Sequence, residues 1–148
     1  MYLPGKTDFY FIKLNALKCM EWALNHGRCH IDGKQEVPDQ GDVSEITDFE
    51  ALYKRVLDNF KIVMEGAAAH MVETQHLRSI VAPVPLLSAF LEGPVEKGKD
   101  MTQMGARFIL GGTIAEGISH VIDSLCAIRR VVFQEKYCTM TELADAID

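Results

Sequence analysis

The chain has 148 residues, 48% of them hydrophobic and 24% charged, which is enough apolar material for one packed core and argues against a disordered segment. A net charge of -6 and a pI near 5.3 argue against a surface built to hold nucleic acid or an anionic membrane, because both need clustered Lys and Arg and the longest basic cluster is Arg129-Arg130. The N-terminal stretch MYLPGKTDFYFIK lacks a basic region followed by an apolar one, and no apolar run reaches the length of a membrane span, so a cytoplasmic protein is expected. Cys19, Cys29, Cys126 and Cys138 are irregularly spaced with no C-x-x-C pair, which reads as free thiols.

Taken in order, residues 1–11 carry Pro4-Gly5 and read as a loop entering a helix over about 12–26, where Leu14, Leu17, Met20 and Leu24 recur at helical spacing and Gly27 stands at the C-cap. Residues 28–44 form an irregular connection with turns at Asp32-Gly33 and Gln40-Gly41. Thr47-Asp48-Phe49-Glu50 has the form of a capping box and opens a long helix over about 48–80, with Phe49, Leu52, Val56, Phe60 and Val63 on one stripe. Gly66 inside it costs about 1 kcal/mol relative to alanine and suggests close approach of a neighbour.

Pro83 and Pro85 end that pattern, and a helix over about 85–97 follows, kinked or restarted at Gly93-Pro94 and closed by Gly98. One strand is expected at about 106–110, around Arg107-Phe108-Ile109-Leu110, with Gly111-Gly112 as the turn after it. The stripe Ile114, Ile118, Val121, Leu125, Ile128 and Val132 predicts a helix over about 113–135. Thr139-Met140-Thr141-Glu142 is a second capping box before a helix at about 140–147, with Leu143, Ala146 and Ile147 facing inward. The fold class is therefore mainly α with one or two short strands, and a lone strand with its trailing helix points to a piece of a larger sheet.

No constellation of residues declares an active site. Cys19-Met20-Glu21 sets a thiol beside a carboxylate, but residues two apart on a helix point in different directions, so a semi-buried cysteine next to a surface glutamate is the simpler reading. His26, Cys29 and His30 cluster in the irregular connection without a recurrent zinc spacing, and no metal is expected there. His70 and His76 fall on different faces of the long helix. His120 follows Glu116 by four residues, as in a solvent-facing helical pair. Gly111-Gly112-Thr113 lacks the lysine and spacing of a phosphate-binding loop and reads as a tight strand-to-helix turn. No catalytic, cofactor-binding or metal-binding residue is assigned.

Several blocks nevertheless resemble one family. They are Glu21-Trp22-Ala23-Leu24-Asn25-His26-Gly27, Gly41-Asp42, Pro83-Val84-Pro85-Leu86-Leu87-Ser88, and Glu96-Lys97-Gly98-Lys99-Asp100-Met101-Thr102. Gly105-Ala106-Arg107, Asp123-Ser124-Leu125-Cys126-Ala127-Ile128 and Val132-Phe133-Gln134-Glu135-Lys136 complete the series. Their order and spacing resemble the glycyl radical enzymes, the pyruvate formate-lyase-like group, nearer its dehydratase and decarboxylase branch. Met104 departs from the pattern where a second glycine is common. So does Ser119-His120, which stands where a small residue and an asparagine are usual.

The resemblance implies a catalytic subunit in which a ring of strands encloses the site and helices surround it. The activity it implies is radical C-C, C-O, C-N or C-S cleavage of a small metabolite under anaerobic conditions. It implies a protein glycyl radical installed by an S-adenosylmethionine iron-sulfur activase, with a cysteine on a central loop as relay. Neither the Arg-Val-x-Gly-Tyr type motif nor the cysteine loop ahead of Pro4-Gly5-Lys6-Thr7 is found between Met1 and Asp148. Cys19-Met20-Glu21 copies the loop's spelling but falls in the helix after it.

The chain is thus expected to be an internal segment of such an enzyme, inactive alone and binding no cofactor. Its partners would be the remainder of the enzyme, a radical-activating enzyme, and further copies of the full-length protein in a homo-oligomer. The alternatives are a non-catalytic helical binding or scaffold domain, or a small enzyme using a metal held by the His26–His30 connection.

Overall fold

A computed structural model describes residues 7–147, with side chains from Ile12 onward. The elements run β1 (Thr7–Asn15), α1 (Ala16–Leu24), α2 (Phe49–Val81), α3 (Pro85–Ser88), α4 (Pro94–Lys97), β2 (Phe108–Glu116), α5 (Ile118–Ile128) and α6 (Met140–Ile147). Short 3-10 turns lie at Val43–Glu45 and Met101–Gln103, and a π-helical segment at Arg129–Gln134. The protein is mainly helical with one two-stranded sheet, β1 against β2. No helix among the described residues is long and apolar enough to cross a membrane.

The sheet departs most from expectation. Thr7–Asn15 is a strand, where the pattern read as a loop followed by a helix from about residue 12. The run of aromatic and β-branched residues in TDFYFIKLN suits a pleated ribbon, and a paired partner outweighs the helical spacing of Leu14. Pro4-Gly5 lies outside the described residues. The helix starts instead at Ala16, capped by Asn15, whose Oδ1 accepts the Leu17 amide at 3.0 Å.

β2 runs through Gly111-Gly112-Thr113 rather than turning there. Pairing satisfies the backbone along the strand, so the glycine pair is not needed for a reversal. The turn comes at Gly117, with φ +81, and α5 begins at Ile118 instead of 113. Ile114, placed on the helical stripe, is therefore a strand residue.

The long helix opens on Asp48 rather than Thr47, because Asp48 Oδ1 accepts the Ala51 amide at 2.9 Å. Gly66 has no close neighbour; a Cβ built there meets nothing within 4 Å. The 85–97 segment is two separate four-residue helices, parted by Gly93 at φ +108. Gly98 closes the second in the left-handed region. At the C-terminus Thr139 Oγ1 accepts the Glu142 amide at 3.2 Å while Glu142 Oε2 accepts the Thr139 amide at 2.8 Å. Leu143 is half-buried, but Ala146 and Ile147 are exposed, against the inward placement expected of them.

The chain divides into two compact units. One takes in β1 up to Lys13 with Glu65–Ile114; the other takes in Leu14–Met64 and the chain from Ala115 onward. The second holds a continuous apolar core: Leu14, Ala16, Met20, Ala23, Val43, Ile46, Leu52, Val56, Val121, Leu125, Ile128, Val132 and Met140. Within it α1 packs on α5, and Phe49 stacks on Tyr53 and meets Phe133 edge-on at 6.3 Å. In the π-helical segment the Glu135 amide reaches back five residues to Arg130 O at 2.8 Å.

Candidate functional site

In the unit around α1, the sequence candidates come together only in part. Cys19 is fully buried on α1, and burial pushes its thiol up to about 11, so it stays protonated. Glu21 instead organises the surface beside it, accepting Lys18 Nζ and the His30 amide, each at 2.8 Å. Burial raises its carboxyl pKa, but those two donors outweigh it and hold the group below the ordinary range. Lys18 Nζ also reaches Cys29 Sγ at 3.4 Å. On the far side of the thiol, Asp32 is held low first by the Lys34 amide and then by Cys29.

His26, at φ +50, places Nδ1 3.2 Å from Asp39 and Nε2 3.7 Å from Asp42. Arg55 grips the same connection through Gly41 O and Asp42 O at 3.0 and 3.2 Å. A cleft of about 450 Å³ lies here, floored by Leu17, Met20, Leu24, Val43 and Ala144 and rimmed by Glu21, His26, His30, Asp42 and Asp145. The imidazole and the thiol of this region each face their own charged partner, so His26, Cys29 and His30 do not form one ligand set. Among the described residues no three His, Cys, Asp or Glu groups converge on a point where a metal could sit.

The other histidines stay apart. His70 meets Thr74 Oγ1 at 3.3 Å on the exposed face of α2, and His76 is exposed one and a half turns later. The helical pair expected of Glu116 and His120 does not form as such, since Glu116 ends β2 and Gly117 separates it from α5.

The strongest polar constellation is one that residue patterns missed, in the other unit. Asp100 Oδ2 accepts the Val84 amide at 3.0 Å and Ser88 Oγ at 2.8 Å, while Oδ1 accepts the Thr102 amide at 2.9 Å and Thr102 Oγ1 at 2.7 Å. Ser88 Oγ in turn accepts the Met101 amide at 2.8 Å, and buried Gln75 donates to Thr102 O at 3.0 Å. Burial works to raise the Asp100 carboxyl, but the bonds from Thr102, Ser88 and Val84 prevail and bring it to about 2. The node fixes the chain just ahead of β2, where the Gly105 amide bonds to Asp100 O and Lys97 Nζ bonds to Ala106 O, both at 3.0 Å.

Its only advance signal was that Pro83–Ser88 and Glu96–Thr102 are both blocks of the resemblance; the carboxylate is what joins them. Met104 sits beside the node at φ +64, a left-handed conformation that glycine adopts without strain, which accounts physically for glycine being common there.

These elements define a mainly helical protein with a short sheet and polar staples, without a self-contained catalytic relay among the described residues. The pyruvate formate lyase-like family matches the chain over residues 1–148, and the chain belongs to that family. It is 30% identical over 134 residues to (2S)-3-sulfopropanediol dehydratase of Klebsiella oxytoca, covering 90% of this chain and 16% of that protein. To trans-4-hydroxy-L-proline dehydratase of Clostridioides difficile it is 32% identical over 140 residues, covering 91% and 17%.

Among solved structures, hydroxyproline dehydratase from Clostridioides difficile with trans-4-hydroxy-L-proline bound superposes with a TM-score of 0.92 at 28% identity, over 97% of this chain and 18% of that one. A Roseburia inulinivorans structure described for 1,2-propanediol dehydration gives 0.90 at 25% identity, over 99% and 18%. The chain therefore spans 16–17% of the length of these curated relatives.

Proposed function

We propose that this chain serves as a scaffold segment of a glycyl radical dehydratase or lyase, supplying one or two strands of an enclosing barrel and the helices around it, and no catalytic residue. The observation that carries this reading is the near-complete superposition, TM-score 0.92 over 97% of the chain, on 18% of a dehydratase. The exposed apolar residues support it: Val72, Val81, Leu86 and Phe90 are each more than 70% exposed, and such patches mark surfaces meant to be covered. The substrate class follows from the relatives, whose names describe dehydration of a sulfonated diol, a hydroxylated proline and 1,2-propanediol; the whole enzyme would act on a small hydroxylated metabolite.

In this reading an activated glycyl radical supplies hydrogen abstraction through a cysteine, and Cys19 does not fit that role. It is sealed in the core with its thiol pushed up to about 11, so no substrate reaches it. What the chain's own residues contribute is position: Asp100 holds the approach to β2, and Asn15 and Gly117 set α1 and α5 at the ends of the two strands. The remainder of the enzyme, an activating enzyme and a homo-oligomeric full-length protein are the partners that this reading requires, in an anaerobic cytoplasm.

The test is to sequence the coding region on both sides and to activate the encoded protein anaerobically. A Cys-x-Glu loop upstream, a radical-glycine motif downstream, a glycyl radical signal in electron paramagnetic resonance and dehydration of a diol are the expected results. The 148-residue chain alone should show no turnover and should self-associate. Flanks lacking both motifs, together with a monodisperse and cooperatively melting 148-residue monomer, would favour the non-catalytic scaffold domain instead.

A further inference from the structure

Cys29 is set apart from the other three thiols by what faces it. Lys18 on α1 holds its ammonium between Glu21 Oε1 at 2.8 Å and Cys29 Sγ at 3.4 Å. Backbone bonds keep the three groups together: Glu21 Oε1 also accepts the His30 amide at 2.8 Å, the Cys29 amide donates to Lys34 O at 2.9 Å, and Cys29 O accepts the Gly33 amide at 2.8 Å. The thiol is half-buried and the Lys18 side chain 27% exposed, so a small oxidant reaches both. Cys19, sealed in the core, offers no comparable access.

We propose that Lys18 and Cys29 form a reversible covalent bridge, with one oxygen atom joining Lys18 Nζ to Cys29 Sγ, when the protein meets molecular oxygen. The Cys29 thiol adds dioxygen to become S-O-OH, its proton passing to the terminal oxygen. Lys18 releases its ammonium proton to solvent by way of Glu21, and the free amine attacks the oxygen bound to sulfur. An N-O bond forms, the O-O bond breaks, and the departing hydroxide takes an amine proton and leaves as water. Thiol, amine and dioxygen thus give the N-O-S bridge and one water; dioxygen gains four electrons, all drawn from the nitrogen and sulfur centres.

The lysine stem is flexible enough to close the remaining gap. The bridge staples α1 to the connection that follows it and fixes the wall of the cleft where Glu21 and His30 lie.

The experiment uses the full chain, purified under argon with reductant, freed of reductant and then exposed to air, with peptide mapping by mass spectrometry under non-reducing conditions. The expected product joins the Lys18 and Cys29 peptides with a mass equal to their sum plus one oxygen less two hydrogens, and dithiothreitol returns both peptides unmodified. Lys18→Arg, which keeps the charge and the contact, should abolish the product, as should Cys29→Ser. The proposal fails if Cys29 in the oxygen-exposed wild type is a free thiol, a sulfinic acid or half of a disulfide while Lys18 is unmodified. It also fails if chain unfolded in urea gives the bridge in equal yield, because the folded geometry would then not be its cause.

Discussion

The two units of this chain are held together by different means. Around α1 and α5, stability rests on a contiguous apolar core in which Leu52 and Val56 are at most 1% exposed. Around Asp100, the buried set includes Gln75, Ser88 and Thr102 beside Met101 and Ala106, while Leu86, Phe90 and Val95 are exposed. The comparison teaches that a unit can be ordered by polar staples when its large apolar side chains point elsewhere. Such an arrangement is specific in geometry but modest in energy, because each neutral hydrogen bond nets only about 1 kcal/mol while its loss strands buried partners.

The sharpest way to break the comparison is to truncate leucines in both units. Leu52→Ala should cost about 2–5 kcal/mol in urea denaturation, since it removes packed methyl groups from a sealed core. Leu86→Ala, at 77% exposure, should change stability by less than about 0.5 kcal/mol and should reduce self-association measured by sedimentation. Equal effects at the two sites would erase the distinction.

Next in size, Asp100→Ala should cost about 1–3 kcal/mol, with faster amide exchange concentrated at Val84, Met101, Thr102 and Gly105 and little change at α1 or α5. The same carboxylate gives a pH signature. Its folded pKa of about 2 lies below the value near 3.9 of an unfolded aspartate, so its stabilisation is complete above about pH 4 and is lost as pH falls towards 2. Asp100→Asn should flatten that part of the acid-denaturation curve. Thr139→Ala should cost about 1 kcal/mol by opening the capping box, read as loss of helicity and melting temperature. Smallest and opposite in sign, Gly66→Ala should stabilise by up to about 1 kcal/mol, because a methyl group there meets nothing within 4 Å.

What could be read in advance follows the range of the interactions concerned. The long helix and the Thr139–Glu142 box are local patterns, and the structure has a 33-residue helix at Phe49–Val81 and that box intact. The cap of α2 was displaced by one residue because Thr47 and Asp48 both carry a suitable side-chain oxygen. The sheet was misread because β1 and β2 stand about ninety residues apart, and pairing at that distance leaves no periodic trace; it also overrode the glycine signal at Gly111-Gly112. The Asp100 node escaped for the same reason, since its donors come from Val84 and Ser88 as well as the adjacent Thr102. The family was accessible because ordered blocks carry information that no single spacing does.

The wide turn at Arg129–Gln134 bears on how the chain's length can vary. A π-helical turn accommodates one residue more than an α turn, and such turns arise from single insertions in otherwise regular helices. Removing one residue there would restore ordinary α geometry while rotating everything beyond it by about 100°. Val132, Phe133 and the Arg130-Glu135 contact would be the first to register the shift, so a relative one residue shorter at this point must present a different side chain to Phe49.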